Sequence, residues 1–161
     1  MLSNRTAILL TVSFIEGGAL MAYEIISSRI YTPHFGGTVY VWTSILTITL
    51  LGLALGYRHG DKIKKETGLN RLFIALLLTA VFIFSSKWMA NTVFPTLYEV
   101  DIRAASFIGG LLIVLLPMYL LGTVSPIIIR QLSKDETVVG SNAGLIYGLS
   151  TVGGVLFSMT L

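Results

Sequence analysis

The chain has 161 residues, of which 54% are apolar and only 12% charged, with a mean hydropathy of +0.82. Soluble domains carry about 25% Asp, Glu, Lys and Arg, so this composition excludes an ordinary water-exposed fold and makes a lipid bilayer the expected surroundings. The absence of cysteine removes disulfides, thiolate metal sites and cysteine nucleophiles, and the net charge of +3 is expected to report membrane orientation, with no nucleic-acid partner.

Length and hydropathy predict an all-α, polytopic transmembrane bundle, one domain over residues 1–161 with five spans. These cover 6–30, 38–57, 72–90, 104–129 and 138–161. Each can cross a hydrocarbon core of about 30 Å at 1.5 Å per residue, the third only by continuing past Ser85 and Ser86 toward Lys87. The opening run from Arg5 to Ile15 has the outline of a signal peptide. Glu16 interrupts it, hydrophobicity then resumes, and Leu20-Met21-Ala22 lacks the small residue that a cleavage site needs, so a retained span is expected.

Cytoplasmic loops carry an excess of Lys and Arg. Arg5, Arg58, Lys62, Lys64, Lys65, Arg71, Arg130 and Lys134 all fall on one side of the predicted bundle, against Arg29, Lys87 and Arg103 on the other. The N-terminus is therefore expected in the cytoplasm and the C-terminus outside, in the cytoplasmic (inner) membrane of a bacterium or archaeon. Trp42 and Trp88 would lie at the outer interface, where indoles prefer to sit.

Glu16 and Glu24 stand inside the first span, Glu16 near mid-depth and Glu24 about 12 Å further out. A carboxylate in hydrocarbon is costly unless it is protonated, paired or hydrated, and such residues mark functional sites by default. Eight residues apart, the two project roughly 80° from each other and can share a sector facing the bundle, with Arg29 toward the outer end. Glu16, Glu24 and Arg29 are the candidate ligand-binding residues. The alternative is purely structural, with Glu16 hydrogen-bonded to a neighbouring helix and Glu24 and Arg29 paired near the interface.

Glycine recurs every fourth residue at Gly52, Gly56 and Gly60 in the second span and at Gly140, Gly144 and Gly148 in the fifth. That spacing leaves a groove in which another helix, from this chain or another copy, can approach closely. Gly17, Gly18 and Ala22 offer a similar small face beside Glu16. The fourth span contains Pro117, Gly122 and Pro126, which favour kinks, and Tyr119, Thr123 and Ser125 supply polar groups to the same region. Nothing resembles a Walker loop, a dinucleotide fingerprint or a nucleophile–base arrangement, and His34 and His59 fall in opposite loops. No cofactor, metal site or enzyme activity is expected.

Several stretches carry a family resemblance: Phe14-Ile15-Glu16-Gly17-Gly18, Tyr23-Glu24-Ile25-Ile26-Ser27-Ser28-Arg29-Ile30, and the run from Pro33 through Trp42-Thr43-Ser44. With Gly52-Leu53-Ala54-Leu55-Gly56-Tyr57, Ser125-Pro126-Ile127-Ile128-Ile129-Arg130 and Tyr147-Gly148-Leu149-Ser150-Thr151-Val152-Gly153, they resemble the membrane region of spermidine-synthase-like integral membrane proteins, a half-transporter-like region with major-facilitator-related members. The resemblance implies a polyamine-like ligand and, since the transferase's glycine-rich loop and acidic residues have no counterpart here, a separate aminopropyltransferase-like partner. At Lys65-Glu66 this chain reverses the Asp-Arg order of the family's cytoplasmic loop.

The expected function is that of a non-enzymatic membrane module that binds or translocates a small cationic or proton-linked solute through Glu16. Five helices rarely enclose a full pathway, so self-association or another membrane subunit is expected as well. The alternative is a structural accessory subunit of a larger membrane complex.

Overall fold

The computed structural model describes residues 4–133 and 136–160; Lys134 and Leu161 of the predicted spans and loops lie outside them. The described residues are helical apart from short connections, with no strand. They form α1 (Asn4–Phe35), α2 (Val39–Gly60), α3 (Lys65–Val93), α4 (Ile102–Ile113), α5 (Leu115–Leu132) and α6 (Val139–Ser158), with 3-10 turns at Phe94–Leu97 and Glu136–Val138. Asn4–Phe35, Val39–Gly60, Lys65–Leu97 and Leu115–Leu132 are long and apolar enough to cross a membrane. The fifth predicted span corresponds to α6, whose 20 residues are diluted by five glycines and by Ser141, Asn142, Ser150 and Thr151. The outer surface is apolar: Phe84 is 92% exposed, and Leu50, Phe73, Ile8 and Trp88 also face outward. Such an exterior suits a chain surrounded by hydrocarbon.

The predicted boundaries shift for local reasons. α1 continues to Phe35 and stops where Gly36 takes a positive φ of 72°, its N–H bonded to Thr32 O at 2.9 Å. Thr38 then caps α2 by accepting from Val41 N–H. α3 starts at Lys65, seven residues before the predicted span, because a polar first turn is compatible with a helix that emerges from the membrane.

The predicted fourth span, 104–129, is broken at Val114 into α4 and α5. Pro117 has no N–H to give the carbonyl of Ile113, four residues back. That carbonyl accepts instead from the buried Tyr23 hydroxyl of α1, at 3.0 Å. Bonds from Val114 N–H to Gly110 O and from Met118 N–H to Val114 O carry the backbone through the break, and α2 packs along both α4 and α5.

Lipid gives helices no hydrophobic reason to associate, so close packing has to supply the attraction. The two most extensive contacts, α1 with α6 and α2 with α5, are both made through glycine. A Cβ on Gly56 would strike the carbonyl oxygen of Tyr119 and lie 2.8 Å from Gly122 Cα, and one on Gly60 would be 2.7 Å from Thr123 O. On α1 and α6, a Cβ on Gly17 would strike Ser150 O and one on Gly153 would strike Phe14 O. Around Gly140, Gly144 and Gly148, by contrast, no atom of the described residues outside the local backbone lies within 4 Å of where a Cβ would be. That stripe faces away from the other described helices, and the small residues that seat α6 are Gly153 and Gly154.

Polar contacts fasten the two ends. At one, Arg130 donates to the backbone and side chain of Asp61, Lys65 Nζ to Ser133 O (2.7 Å), Gln131 Nε2 to Lys65 O (2.7 Å) and Arg5 to Gln131 Oε1 (2.8 Å). At the other, Tyr31, Phe35 and Phe94 stack in a buried cluster, and His34 bridges the Tyr98 hydroxyl (2.8 Å) and Asn91 Oδ1 (3.3 Å). Here too the Arg103 guanidinium lies 4.8 Å from the Tyr40 ring centre.

Two outcomes test this packing. Gly56→Leu drives a side chain into immovable backbone and should lower stability by about 2 kcal/mol or more, whereas Gly144→Leu should leave the melting temperature of the solubilised monomer unchanged. Tyr23→Phe strands the Ile113 carbonyl at a cost of about 1–3 kcal/mol. In a Pro117→Ala background the restored N–H should take that carbonyl and shrink the cost, as a thermal double-mutant cycle would show.

Candidate functional site

The buried seam of α1 carries Ser13, Glu16, Tyr23, Ser27 and Tyr31 among its apolar residues. Glu16 is 2% exposed. One apolar cluster, with Leu9, Leu72, Val124 and Ile128, packs toward the basic end, and another, with Leu20, Tyr23, Met118 and Leu121, toward the aromatic end. Glu16 falls between Leu9 and Leu20 of these two clusters, so its carboxyl is buried at mid-length of the bundle.

Two hydroxyls from two different helices hold it. Ser150 Oγ of α6 donates to Glu16 Oε2 at 3.1 Å and Ser125 Oγ of α5 donates to the same oxygen at 3.4 Å. The glycines explain the reach: Gly17 and Gly18 follow Glu16, Gly153 and Gly154 follow Ser150, and without side chains the α1 and α6 backbones come close enough for a short serine to span the gap. Ser13 adds a bond to the Ile146 carbonyl of α6 at 3.0 Å, one turn before Glu16.

Neither serine reaches Oε1, and Glu16 also lines a cavity of about 310 Å³ between α1, α3 and α5. Thr79 of α3 faces the same space. It is 4% exposed, and its hydroxyl has no hydrogen-bond partner among the described residues. On the other side of Ser150, a cavity of about 260 Å³ between α1, α2 and α6 is lined by Ser150 and Tyr57. Tyr57 also lines a cavity of about 540 Å³ toward the basic end, with Tyr147, Asp61, Lys65 and Arg130. The Tyr57 and Tyr147 rings meet edge to face there, 6.1 Å apart. Glu16 itself lines the cavity beside α3, while its partner Ser150 borders the one between α1, α2 and α6.

The other sequence candidates are placed apart. Glu24 is half-buried two turns further along α1 and Arg29 is exposed beyond it; neither lines the Glu16 cavity. Of the polar groups on the proline-containing helix, Ser125 reaches Glu16, Thr123 bonds its own helix at Leu120 O, and the Tyr119 ring sits against His59. Among the described residues no group of three or more His, Cys, Asp or Glu could hold a metal ion. Sequence reading missed Ser150 and Thr79. For Ser150 a weak signal existed, because a glycine pair follows both Glu16 (17 and 18) and, within one turn, Ser150 (153 and 154). For Thr79, in an apolar run, there was none.

No family model, curated protein or solved structure matches the chain.

The carboxyl's supports can be weighed by substitution. Ser150→Ala should cost about 1–2 kcal/mol and Ser125→Ala, at the longer distance, less. Both share one oxygen, so the double variant should be non-additive. Glu16→Gln keeps an acceptor for both serines and should melt near the wild type in detergent, while Glu16→Lys should prevent folding.

Proposed function

We propose that the chain is a non-enzymatic membrane module that binds, and within a larger assembly translocates, a small cationic or proton-linked solute at Glu16. The observation that carries this reading is the position of Glu16: buried, held by hydroxyls from two helices, and set in the lining of a cavity. An ionised carboxyl in hydrocarbon costs several kcal/mol, and serine hydroxyls offset only part of that. A proton or a bound cation completes the balance, which makes Glu16 a natural acceptor for either.

The cavities give the reading its direction. Tyr57 borders both the cavity at the basic end, the cytoplasmic end by the positive-inside rule, and the one lined by Ser150, whose hydroxyl bonds Glu16. The cavity beside α3 is lined by Glu16 itself. The resemblance to the membrane region of spermidine-synthase-like proteins supports an amine as the cation and an aminopropyltransferase-like protein as a separate partner. A bacterial or archaeal cytoplasmic membrane fits the same picture.

The structural alternative, an accessory subunit of a larger complex, is favoured by the outward-facing Gly140, Gly144 and Gly148 and by the small buried share of α6. One experiment separates the two. In proteoliposomes under a proton or amine gradient, the wild type should take up or bind solute and Glu16→Gln should lose at least about nine-tenths of that signal. If Glu16→Gln behaves like the wild type while Gly144→Leu splits an assembly, the accessory role is correct and the solute site is not.

A further inference from the structure

The cavity beside α3 has a composition that narrows the ligand. Its walls are apolar, with Val12, Ala19, Leu76, Ile83 and Leu121 among them, and the polar side chains lining it are Glu16 and Thr79. At about 310 Å³ it stands at the lower end of the roughly 300–1,000 Å³ range of small-molecule sites. Ile15 and Ala80 belong to the lining yet are exposed on the outer surface of the bundle. Both residues face where acyl chains would lie, so the cavity opens sideways between α1 and α3.

Charge and hydrogen bonding then select the occupant. One carboxylate neutralises one ammonium; a second positive charge on the ligand would be left unpaired in an apolar chamber, which is strongly disfavoured. Thr79 points in the same direction. Helical threonines commonly satisfy their hydroxyl on a carbonyl three or four residues back, as Thr11, Thr43 and Thr92 do here. Thr79, buried in the lining, has no such bond. Its oxygen can accept from an N–H donor, while Glu16 Oε1, which neither serine reaches, can supply the counter-charge.

We propose that this cavity is a lipid-facing site for a protonated amphiphilic monoamine, its ammonium held between Glu16 and Thr79 and its hydrocarbon body against the α1, α3 and α5 side chains. The site rests on the reading of Glu16 as a cation acceptor and narrows it: the ligand carries one charge, at least one N–H, and an apolar body, and reaches Glu16 from the bilayer.

The test is binding of three probes to the full chain in lipid nanodiscs, followed by calorimetry: hexylamine, 1,6-diaminohexane and hexyltrimethylammonium. Hexylamine should bind at least about tenfold more tightly than either of the others, since the diamine adds an unpaired charge and the quaternary ion has no donor for Thr79. Thr79→Val should weaken hexylamine about tenfold. The same change should leave the melting temperature equal or higher, because it removes an unpaired buried hydroxyl; a purely structural threonine would not move the two readouts in opposite directions. Ala80→Trp at the rim should slow hexylamine association without altering the fold. If the diamine binds as well as hexylamine, or Thr79→Val leaves hexylamine affinity intact, the monoamine assignment is wrong while Glu16 remains a cation site. If no probe binds and Glu16→Gln leaves proton uptake unchanged, the underlying reading fails with it.

Discussion

Close approach of backbones is the constraint from which the rest of the molecule follows. Between helices immersed in hydrocarbon, the attraction left is contact at short range, and here it is concentrated where side chains are missing. Gly52, Gly56 and Gly60 seat α2 on α5, with Gly122 opposite, and Gly17 with Gly153 does the same for α1 and α6. These two pairings fix the relative rotation of four helices. α3 is then added against α5 with fewer contacts and a mostly lipid-facing surface.

The polar chemistry depends on those approaches. Ser150 can donate to Glu16 because the α1 and α6 backbones nearly touch beside it, and a bulky residue at Gly17 or Gly153 would move the hydroxyl out of range. Similarly, the helix break before Pro117 and the Tyr23 hydroxyl form one unit: the proline frees a carbonyl and the tyrosine satisfies it. A backbone acceptor left alone in this environment would carry a penalty comparable to a lost hydrogen bond. The break is therefore tied to α1 by the same seam that holds Glu16.

Much of this was legible in the sequence, and what was not has physical causes. Glu16 stood out because charge at mid-depth is rare enough to need a reason. The all-α class followed from hydropathy, and the role of Gly52, Gly56 and Gly60 followed from spacing, because a triple repeat defines one helix face. Spacing reports phase along a helix, however, and not the neighbour that fills the groove. Gly140, Gly144 and Gly148 read identically and yet face outward, while the less regular Gly153 and Gly154 make the contact within the chain. Glu24 shares the helix with Glu16 but not its surroundings, because burial depends on which helices lie beside each turn. Thr79 was invisible for a related reason: a threonine in an apolar run is unremarkable until the carbonyl it would normally bond is seen to go unused.

The fastening of α3 has its own consequence. Near its start Gln131 bonds the Lys65 carbonyl, and near its end Asn91 is joined to His34 of α1. Between those anchors Thr79 and Ala80 border open space on the α1 side. Pinned at both ends and packed against α5 between them, α3 cannot swing away; it can only bow on its α1 side. Any breathing of the gap beside Glu16 is thereby confined to a flexing of the mid-helix turns, with both fastened ends of α3 held in place.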